Sequence, residues 1–311
     1  MKDLSVIIIS FNTADLLRKC LLSVYQFTAG LDYEVLVVDN ASRDGSVELI
    51  RTEFKEVVLI ENEQNRGFAA ANNQAIRRSR GKAVVLLNSD TELIDNSLKV
   101  LSDFLFSRPA AGACGGLLLY PGGAPQWSYG YYPSLGRMFW ITLSGLLRIR
   151  RGRKPMAVIP DQQKEPRQVE YIVGADLMLK KDVLDKVGLL DESFFAYGEE
   201  TDLCRRITAA GCEVWFNPEA RIVHRVEGSF KKGPEERLRI YYTSLFKYLK
   251  KHSGSYLPAK AFLMAKFYAH AVLFGGSAGK QDAQMRLRAV RHSRLEYPSL
   301  PWGNRRPIEP R

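Results

Sequence analysis

Cysteine is scarce in this sequence. The four thiols, Cys20, Cys114, Cys204 and Cys212, are irregularly spaced and include no CxxC pair. That excludes a zinc ribbon, and a disulfide framework does not suit a chain of this length, so reduced, largely buried thiols of a cytoplasmic protein are expected. Long apolar runs are also missing. The best stretches, Met138–Leu147 and Phe267–Phe274, fall well short of the ~18 residues a membrane span needs. The N-terminus enters the strand-like run Leu4–Ile9 at once, without the basic, apolar and small-residue regions of a secretory signal. There is no GxGxxG after that run and no GxxxxGK[ST] anywhere, which removes dinucleotide binding and P-loop chemistry. Zinc-finger, RNP and helix-turn-helix signatures are absent, so no nucleic-acid partner is expected.

What the sequence has in excess is positive charge, unevenly placed. The net charge is +11, and residues 231–311 carry 17 Lys/Arg against 5 Asp/Glu, whereas residues 1–230 carry 28 and 29. Within the balanced part, residues 137–154 hold Arg137, Arg148, Arg150, Arg151, Arg153 and Lys154 and no acid. Two basic regions flanking a near-neutral body imply an anionic partner. Both regions also carry aromatics: Phe139 and Trp140 in one, and residues 241–274 with Lys247, Lys250, Lys251, Lys260 and Lys266 in the other. Such a mixture suits interfacial helices on an anionic membrane surface, or packed helices with a solvated basic face.

Along residues 1–110, short β-branched apolar runs alternate with helical spacings. Val6–Ile9, Glu34–Val38, Val57–Ile60 and Ala83–Leu87 read as strands, and the segments after residues 13, 45 and 67 read as helices. The alternation predicts an α/β fold with a doubly wound, mostly parallel sheet. Gly112–Tyr120 reads as a further strand. Residues 121–168, rich in Gly, Pro, aromatics and Arg, show no clean period and read as a long loop that is either functional or partly mobile. Val169–Leu179 and Val214–Phe216 are strand-like, and Asp182–Val187 and Thr201–Ala210 read as helices. Basic helices are expected over 235–251 and 257–274, with a loose Pro/Arg-rich tail from about 295.

Ligands of open α/β sheets bind beyond the carboxyl ends of the strands, near a topological switch point. Polar residues close several strands here: Ser10-Phe11-Asn12, Asp39-Asn40, Asn62 and Asn88-Ser89-Asp90. Asp39 suits either a turn or a carboxylate that accepts hydrogen bonds from a nucleobase or ribose. Asp90 suits a solvated turn or a ligand for a hard divalent cation that holds a diphosphate. Gly67 in Asn65-Arg66-Gly67 suits a turn or a close approach of ligand to backbone. Glu199-Glu200-Thr201-Asp202 either complements a helix N-terminus or supplies a general base whose pKa is raised by burial and neighbours. His224, after Arg221-Ile222-Val223, suits a structural imidazole or a metal ligand.

The order of these segments resembles family 2 glycosyltransferases, in particular their bacterial rhamnosyltransferase-like branch. The matching stretches are VIIISFNTADLLRKCLLSV, VVDNASRDGS, NRGFAAANNQAI, LLNSDTEL, GADLMLKKDVLDKVGLLDESFFAYGEETDLCRRI and RIVHRVEGS, over about residues 4–229. The resemblance implies a GT-A catalytic domain over 1–230, with a nucleotide-sugar half to about 110 and an acceptor half from 111. Residues 231–311 then form a basic helical C-terminal extension. It implies that Asp39 recognises uracil or thymine, with Phe11, Asn12, Asn65, Arg66, Gly67 and Asn88 around the nucleotide-sugar. Asp90 and His224 would hold Mg²⁺ or Mn²⁺, Asn88 standing where the family usually has an acid. Gly174, Ala175, Asp176 and Asp202 would lie near sugar and acceptor. Glu200 stands where the base Asp is usual, with Glu199 as the alternative. The expected reaction is inverting transfer of a sugar, from dTDP-rhamnose first and a UDP-hexose second, in cell-surface polysaccharide synthesis. The acceptor is a glycan or a lipid-diphosphate-linked saccharide, at the inner face of the cell membrane. The alternatives are a catalytically silent GT-A scaffold and a basic nucleic-acid-binding protein. A nucleotidyltransferase would need an N-terminal Gly-rich phosphate loop that is absent.

Overall fold

A computed structural model of the chain describes residues 2–150, 165–226, 233–273 and 277–297. Arg151, Arg153 and Lys154, the Gly228-Ser229 end of the last matching stretch, and the tail beyond 297 lie outside the described residues, as do the side chains of Arg148 and Arg150.

The first half alternates as its periodicity requires: β1 (Lys2–Ser10), α1 (Ala14–Phe27), β2 (Tyr33–Asp39), α2 (Ser46–Glu53), β3 (Val58–Glu61), α3 (Phe68–Arg78) and β4 (Gly81–Asn88). A short β5 (Thr91–Leu93), α4 (Ser97–Phe106) and β6 (Ala111–Leu119) follow. Then come β7 (Tyr129–Gly130), α5 (Leu135–Arg150), β8 (Arg167–Gln168), β9 (Tyr171–Ile172), β10 (Asp176–Lys180) and α6 (Lys181–Val187). The chain continues through α7 (Glu199–Ala209), β11 (Glu213–His224), α8 (Pro234–Ser253), α9 (Tyr256–Leu273) and α10 (Ser277–His292).

The main sheet runs β3-β2-β1-β4-β10-β6-β11-β5, with β8 beside β11. Strands β1 to β4 are mutually parallel, and β6 and β11 are parallel to each other. The sheet is nevertheless mixed, because β10 runs antiparallel to both β4 and β6, and β5 antiparallel to β11. The chain reverses its direction of strand addition between β1 and β4, which makes that edge the switch point.

Alternate residues of each strand feed two cores, as the two-residue period dictates. Val6, Ile8, Val35 and Val37 pack under α1, α2 and α4 through Leu17, Leu21, Ile50 and Leu101. Ile7, Leu36, Val38, Val84 and Leu86 face α3, α6 and α7 through Ala71, Ala75, Val183 and Ile207. A third core is helical: Tyr242, Phe246, Tyr248 and Leu249 of α8, Leu263 and Phe267 of α9, and Ala289 and Val290 of α10 close around Phe194. Leu135 and Met138 of α5 pack against the same cluster. Residues 121–168, expected as a loop, therefore contain a helix of 16 residues. Three cysteines are buried, Cys212 is half-buried, and all four are free thiols.

Candidate functional site

The carboxyl ends of β1, β2, β4 and β11 and the N-terminus of α7 meet at one edge. The pieces are stitched by hydrogen bonds. Thr13 Oγ donates to Ser89 Oγ at 3.1 Å, the Asn88 amide donates to the Ala175 carbonyl at 3.1 Å, and the Arg225 amide to the Asp90 carbonyl at 2.9 Å. The Phe68 amide at the start of α3 donates to the Phe195 carbonyl at 2.7 Å, which ties the first half to the segment ahead of α7. Asn73 exchanges both hydrogen bonds with the Leu190 backbone, fixing the approach to that segment.

The Asp39 carboxylate is buried at the end of β2. Its Oδ2 accepts the Ser42 amide at 2.8 Å, while Oδ1 is buried without a partner, and burial raises its pKa. A desolvated acceptor with an open lone pair suits an N–H or O–H donor from a ligand, since leaving it unmet is costly. Asn12 lies across from it with φ 55°; its amide donates to Ser42 Oγ and its Oδ1 accepts the Arg43 amide. Phe11, half-buried, precedes it. Asn65 Oδ1 accepts the Gly67 amide at 2.9 Å, and Asn40 Nδ2 donates to the Gly67 carbonyl at 3.4 Å. Gly67 has φ 85°, and a Cβ there would lie 2.7 Å from the Phe195 carbonyl oxygen. The close approach at Gly67 is to the backbone of Phe195. Arg66 beside it is exposed.

Asp90 and His224 form a second group, with Asp90 Oδ1 3.3 Å from His224 Nε2. His224 Nδ1 lies 3.0 Å from Gln126 Oε1. The Gln126 amide nitrogen meanwhile donates to the Leu119 carbonyl at 3.1 Å and to the His224 carbonyl. The reverse amide orientation would set an oxygen against two carbonyl oxygens, so Oε1 must face the ring. A neutral His224 then carries its proton on Nδ1 and presents the Nε2 lone pair to the Asp90 side, as a metal-binding imidazole does. Among the described residues no cluster of three or more His, Cys, Asp or Glu ligands exists. The donor set is one carboxylate and one imidazole, with Asn88 where a second acid would stand.

Glu199 and Glu200 open α7 after Gly198, whose φ is 89°. Glu200 Oε2 accepts the Gly198 amide at 3.0 Å, and its stem lies 3.7 Å from where a Cβ on Gly174 would be, with Phe68 on the other side. Burial raises the pKa of both carboxyls, and that of Glu199 is raised further by the Glu200 charge beside it. Glu199 is almost fully buried and its Oε2 has no partner, whereas Glu200 is half-buried. Burial therefore disfavours the charged form of both carboxyls, and more strongly for the deeper Glu199. Tyr171, Tyr197 and Tyr241 lie in the field of Glu200, and their hydroxyl pKa values are raised chiefly by burial.

Two expected site carboxylates are not brought to the opening. Asp176 is sealed under it: Oδ2 accepts the Gly116 amide at 2.6 Å, Oδ1 is unpartnered, and burial holds its pKa well above the carboxylate range. Asp202, two residues beyond Glu200, leaves α7 from nearly the opposite side to it. Its fully buried carboxylate takes Arg206 Nε at 2.9 Å, Lys251 Nζ at 2.8 Å and His252 Nε2 at 2.8 Å. The expectation that it touches sugar or acceptor is corrected accordingly; it joins α7 to α8. Gln126 and the three tyrosines are the additions. Gln126 lies in the aperiodic stretch after β6, where spacing carries no signal, and the three tyrosines come from three separate segments.

All four non-glycine residues with positive φ among the described residues flank these groups: Asn12, Ala41, Tyr197 and Val226. Ala41, Tyr197 and Val226 each stand two residues from Asp39, Glu199 and His224. Strained backbone concentrates where side chains are held for function.

A family model described as Glycosyl transferase family 2 matches residues 5–188, more than half of the chain. The N-acetylglucosaminyl-diphospho-decaprenol L-rhamnosyltransferase of Mycobacterium tuberculosis is 28% identical over 238 residues, covering 71% of this chain and 76% of that protein. The fold is similar to the mannosyltransferase PcManGT from Pyrobaculum calidifontis, solved with GDP-Man and Mn²⁺ (TM-score 0.58, 20% identity, 93% of this chain and 86% of that one). It is also similar to GalNAc-T7, solved with UDP, GalNAc and Mn²⁺ (TM-score 0.60, 16% identity, 95% and 58%).

Proposed function

From the premise that the chain belongs to glycosyl transferase family 2, and is a glycosyltransferase of GT-A fold, we propose that it inverts a sugar from a nucleoside-diphosphate donor onto a lipid-diphosphate-linked saccharide. dTDP-rhamnose is the first donor expected and a UDP-hexose the second. The relative's printed substrate, a diphospho-decaprenol, supports that acceptor class, and the setting is cell-surface polysaccharide synthesis at the cytoplasmic face of a membrane. No described helix is long and apolar enough to cross a membrane, so attachment would be peripheral.

The observation that carries this reading is the convergence of the open Asp39 oxygen, the Asp90–His224 pair and Glu200 on one sheet edge. Asp39 Oδ1 accepts the base imide N–H, with Asn12, Asn65, Arg66 and Gly67 around the nucleoside. Asp90 and His224 would hold Mg²⁺ or Mn²⁺; a two-donor site completed by diphosphate oxygens and water fits such an ion. That ion supplies positive charge for the departing diphosphate. Glu200 takes the proton from the acceptor hydroxyl as its oxygen bonds to the anomeric carbon. The bond to the diphosphate breaks, and the diphosphate keeps the electron pair. Tyr171, Tyr197 and Tyr241 stand in the field of that carboxylate. Glu199, buried beside it, raises the cost of a second charge at this helix start.

Glu200→Gln is expected to lower kcat by about 10²–10⁴-fold with donor affinity largely intact, and Glu199→Gln to keep most turnover. The reverse pattern would move the base to Glu199. Because burial raises the Glu200 pKa above its ordinary 4.5, the reacting carboxylate is lost as pH falls through that raised value. The acid limb of the rate profile should therefore lie above the ordinary glutamate range; a limb at or below 4.5 would contradict this environment for the base.

A further inference from the structure

The five most exposed large apolar side chains among the described residues all lie on two adjacent helices. They are Trp140 (67%) and Ile141 (57%) on α5, and Tyr268 (64%), Val272 (63%) and Leu257 (61%) on α9. Phe139 of α5 is exposed too, and its ring meets Phe262 of α9 at 6.1 Å between centroids, which joins the two helices into one patch.

The α9 face is continuous. Leu257, Ala261, Ala265, Tyr268 and Val272 follow one another at helical spacing, and every one is exposed. The opposite stripe, Ala259, Leu263, Phe267 and Ala271, is buried. A helix packed on one side and bathed in water on the other carries polar residues outside; this one is apolar on both. Tryptophan and tyrosine on the outer face match the polar–apolar boundary of a bilayer, where an amphipathic ring is favoured.

Charge selects the kind of surface. By sequence α5 and α9 carry Arg137, Arg148, Arg150, Lys260 and Lys266 and no aspartate or glutamate, with Arg137 paired to Glu170 and Lys260 donating to the Ser293 carbonyl. The last turn of α8 adds the exposed Lys250. Apolar side chains without acids and with cations around them complement an anionic bilayer, whose surface potential attracts each basic group.

The inner side of α9 leads back to the catalytic carboxylates. Tyr197 meets Tyr241 at 6.1 Å, Tyr241 meets Tyr242 at 5.3 Å, and Tyr242 meets Phe267 at 6.2 Å. A surface on the outer face of α9 is therefore separated from the acid-bearing end of α7 by α8 and α9 themselves.

We propose that the outer face of α5 and α9 is where this enzyme lies on an anionic lipid bilayer, with Trp140, Ile141, Leu257, Tyr268 and Val272 entering the headgroup region. The use of this surface, presenting Glu200 to a membrane-borne acceptor, rests on the function proposed above; the docking itself does not.

The test is vesicle flotation of the full chain at physiological salt, with phosphatidylcholine vesicles containing or lacking 30% phosphatidylglycerol. Wild type should float with the anionic vesicles and bind the neutral ones about tenfold more weakly or less. The double variant Trp140→Ser, Tyr268→Ser should lose about tenfold or more in partitioning with its melting temperature unchanged. Should the double variant fail to fold, Trp140→Ser alone is expected to show a smaller loss of the same sign. No wild-type binding to anionic vesicles, or equal binding by a folded variant, overturns the proposal. So does a wild-type dimer in sedimentation that Trp140→Ser dissolves, because the patch would then belong to a second copy. Flotation needs neither donor nor acceptor. A chain that floats but transfers no sugar contradicts only the function proposed above, and one that transfers to soluble acceptors without floating contradicts only this inference.

Discussion

At the scale of single residues, the site depends on how a few polar atoms are left open. Asp39 Oδ1 and Glu199 Oε2 are buried without partners, although a buried polar atom without one costs about 1–3 kcal/mol. His224 differs, because Gln126 spends its amide hydrogens on two carbonyls and has only its oxygen left for the ring. Under the proposed metal role, Gln126 sets which ring nitrogen faces Asp90. Gln126→Leu should weaken Mn²⁺ binding in the presence of UDP by about 10–100-fold, read by electron paramagnetic resonance. The ¹⁵N shifts of neutral His224 should report the Nδ1–H tautomer in the wild type. Unchanged affinity in the variant, or an Nε2–H tautomer in the wild type, would contradict that assignment. Asp39, Asp90 and the Glu199-Glu200 pair were legible in the sequence because a strand end or helix start places each by local spacing. Gln126 was not, since its partner His224 is brought to it only by the packing of β6 against β11.

At the scale of elements, α7 uses its first turn in two directions. Glu199 and Glu200 face the carboxyl edge of the sheet, while Asp202 turns toward α8 and is enclosed by Arg206, Lys251 and His252. All three acids favour a helix N-terminus equally, so sequence alone could not divide them; the groups packed against each one do. Asp202→Asn should leave the donor pocket intact but destabilise the fold by about 2 kcal/mol, because two partly exposed cations lose a buried counter-charge. Calorimetry showing an unchanged melting temperature with lost activity would return Asp202 to the catalytic group. The burial of His252 lowers its pKa despite the Asp202 hydrogen bond. Its contribution to stability is therefore present above its ordinary 6.5 and is lost as pH falls toward the lowered value. Local spacing also failed at α5 and at β10. α5 is apolar on several faces because α9 covers one and another is bare, so no polar stripe marks its period. The run from Val169 to Leu179 is split at Gly174 into β9 and β10, which belong to different sheets.

At the scale of the molecule, the boundary expected at residue 230 meets a shared core. Phe194, from the segment that positions α7, is enclosed by Tyr242, Phe246 and Phe267, and Ser244 Oγ donates to the Ala196 carbonyl at 2.7 Å. The C-terminal helices thereby hold the loop that carries Tyr197 and Glu199. A chain ended at residue 232 is expected to lose cooperative folding, or to melt more than about 10 °C lower, since several large apolar side chains would lose their burial. The full chain should melt in one calorimetric transition. Two separate transitions, with the shorter chain retaining the first, would show that residues 1–230 fold alone.

The sequence by itself determined the alternating α/β architecture, the strand-end acids and the family, because hydrophobic period and motif order are local properties that survive without a third dimension. Tertiary structure decided which acids share the site, which way β10 runs, what orients His224, and that the basic C-terminal helices present an uncovered apolar face. Those outcomes depend on contacts between segments up to about a hundred residues apart, and no local period encodes a partner at that distance.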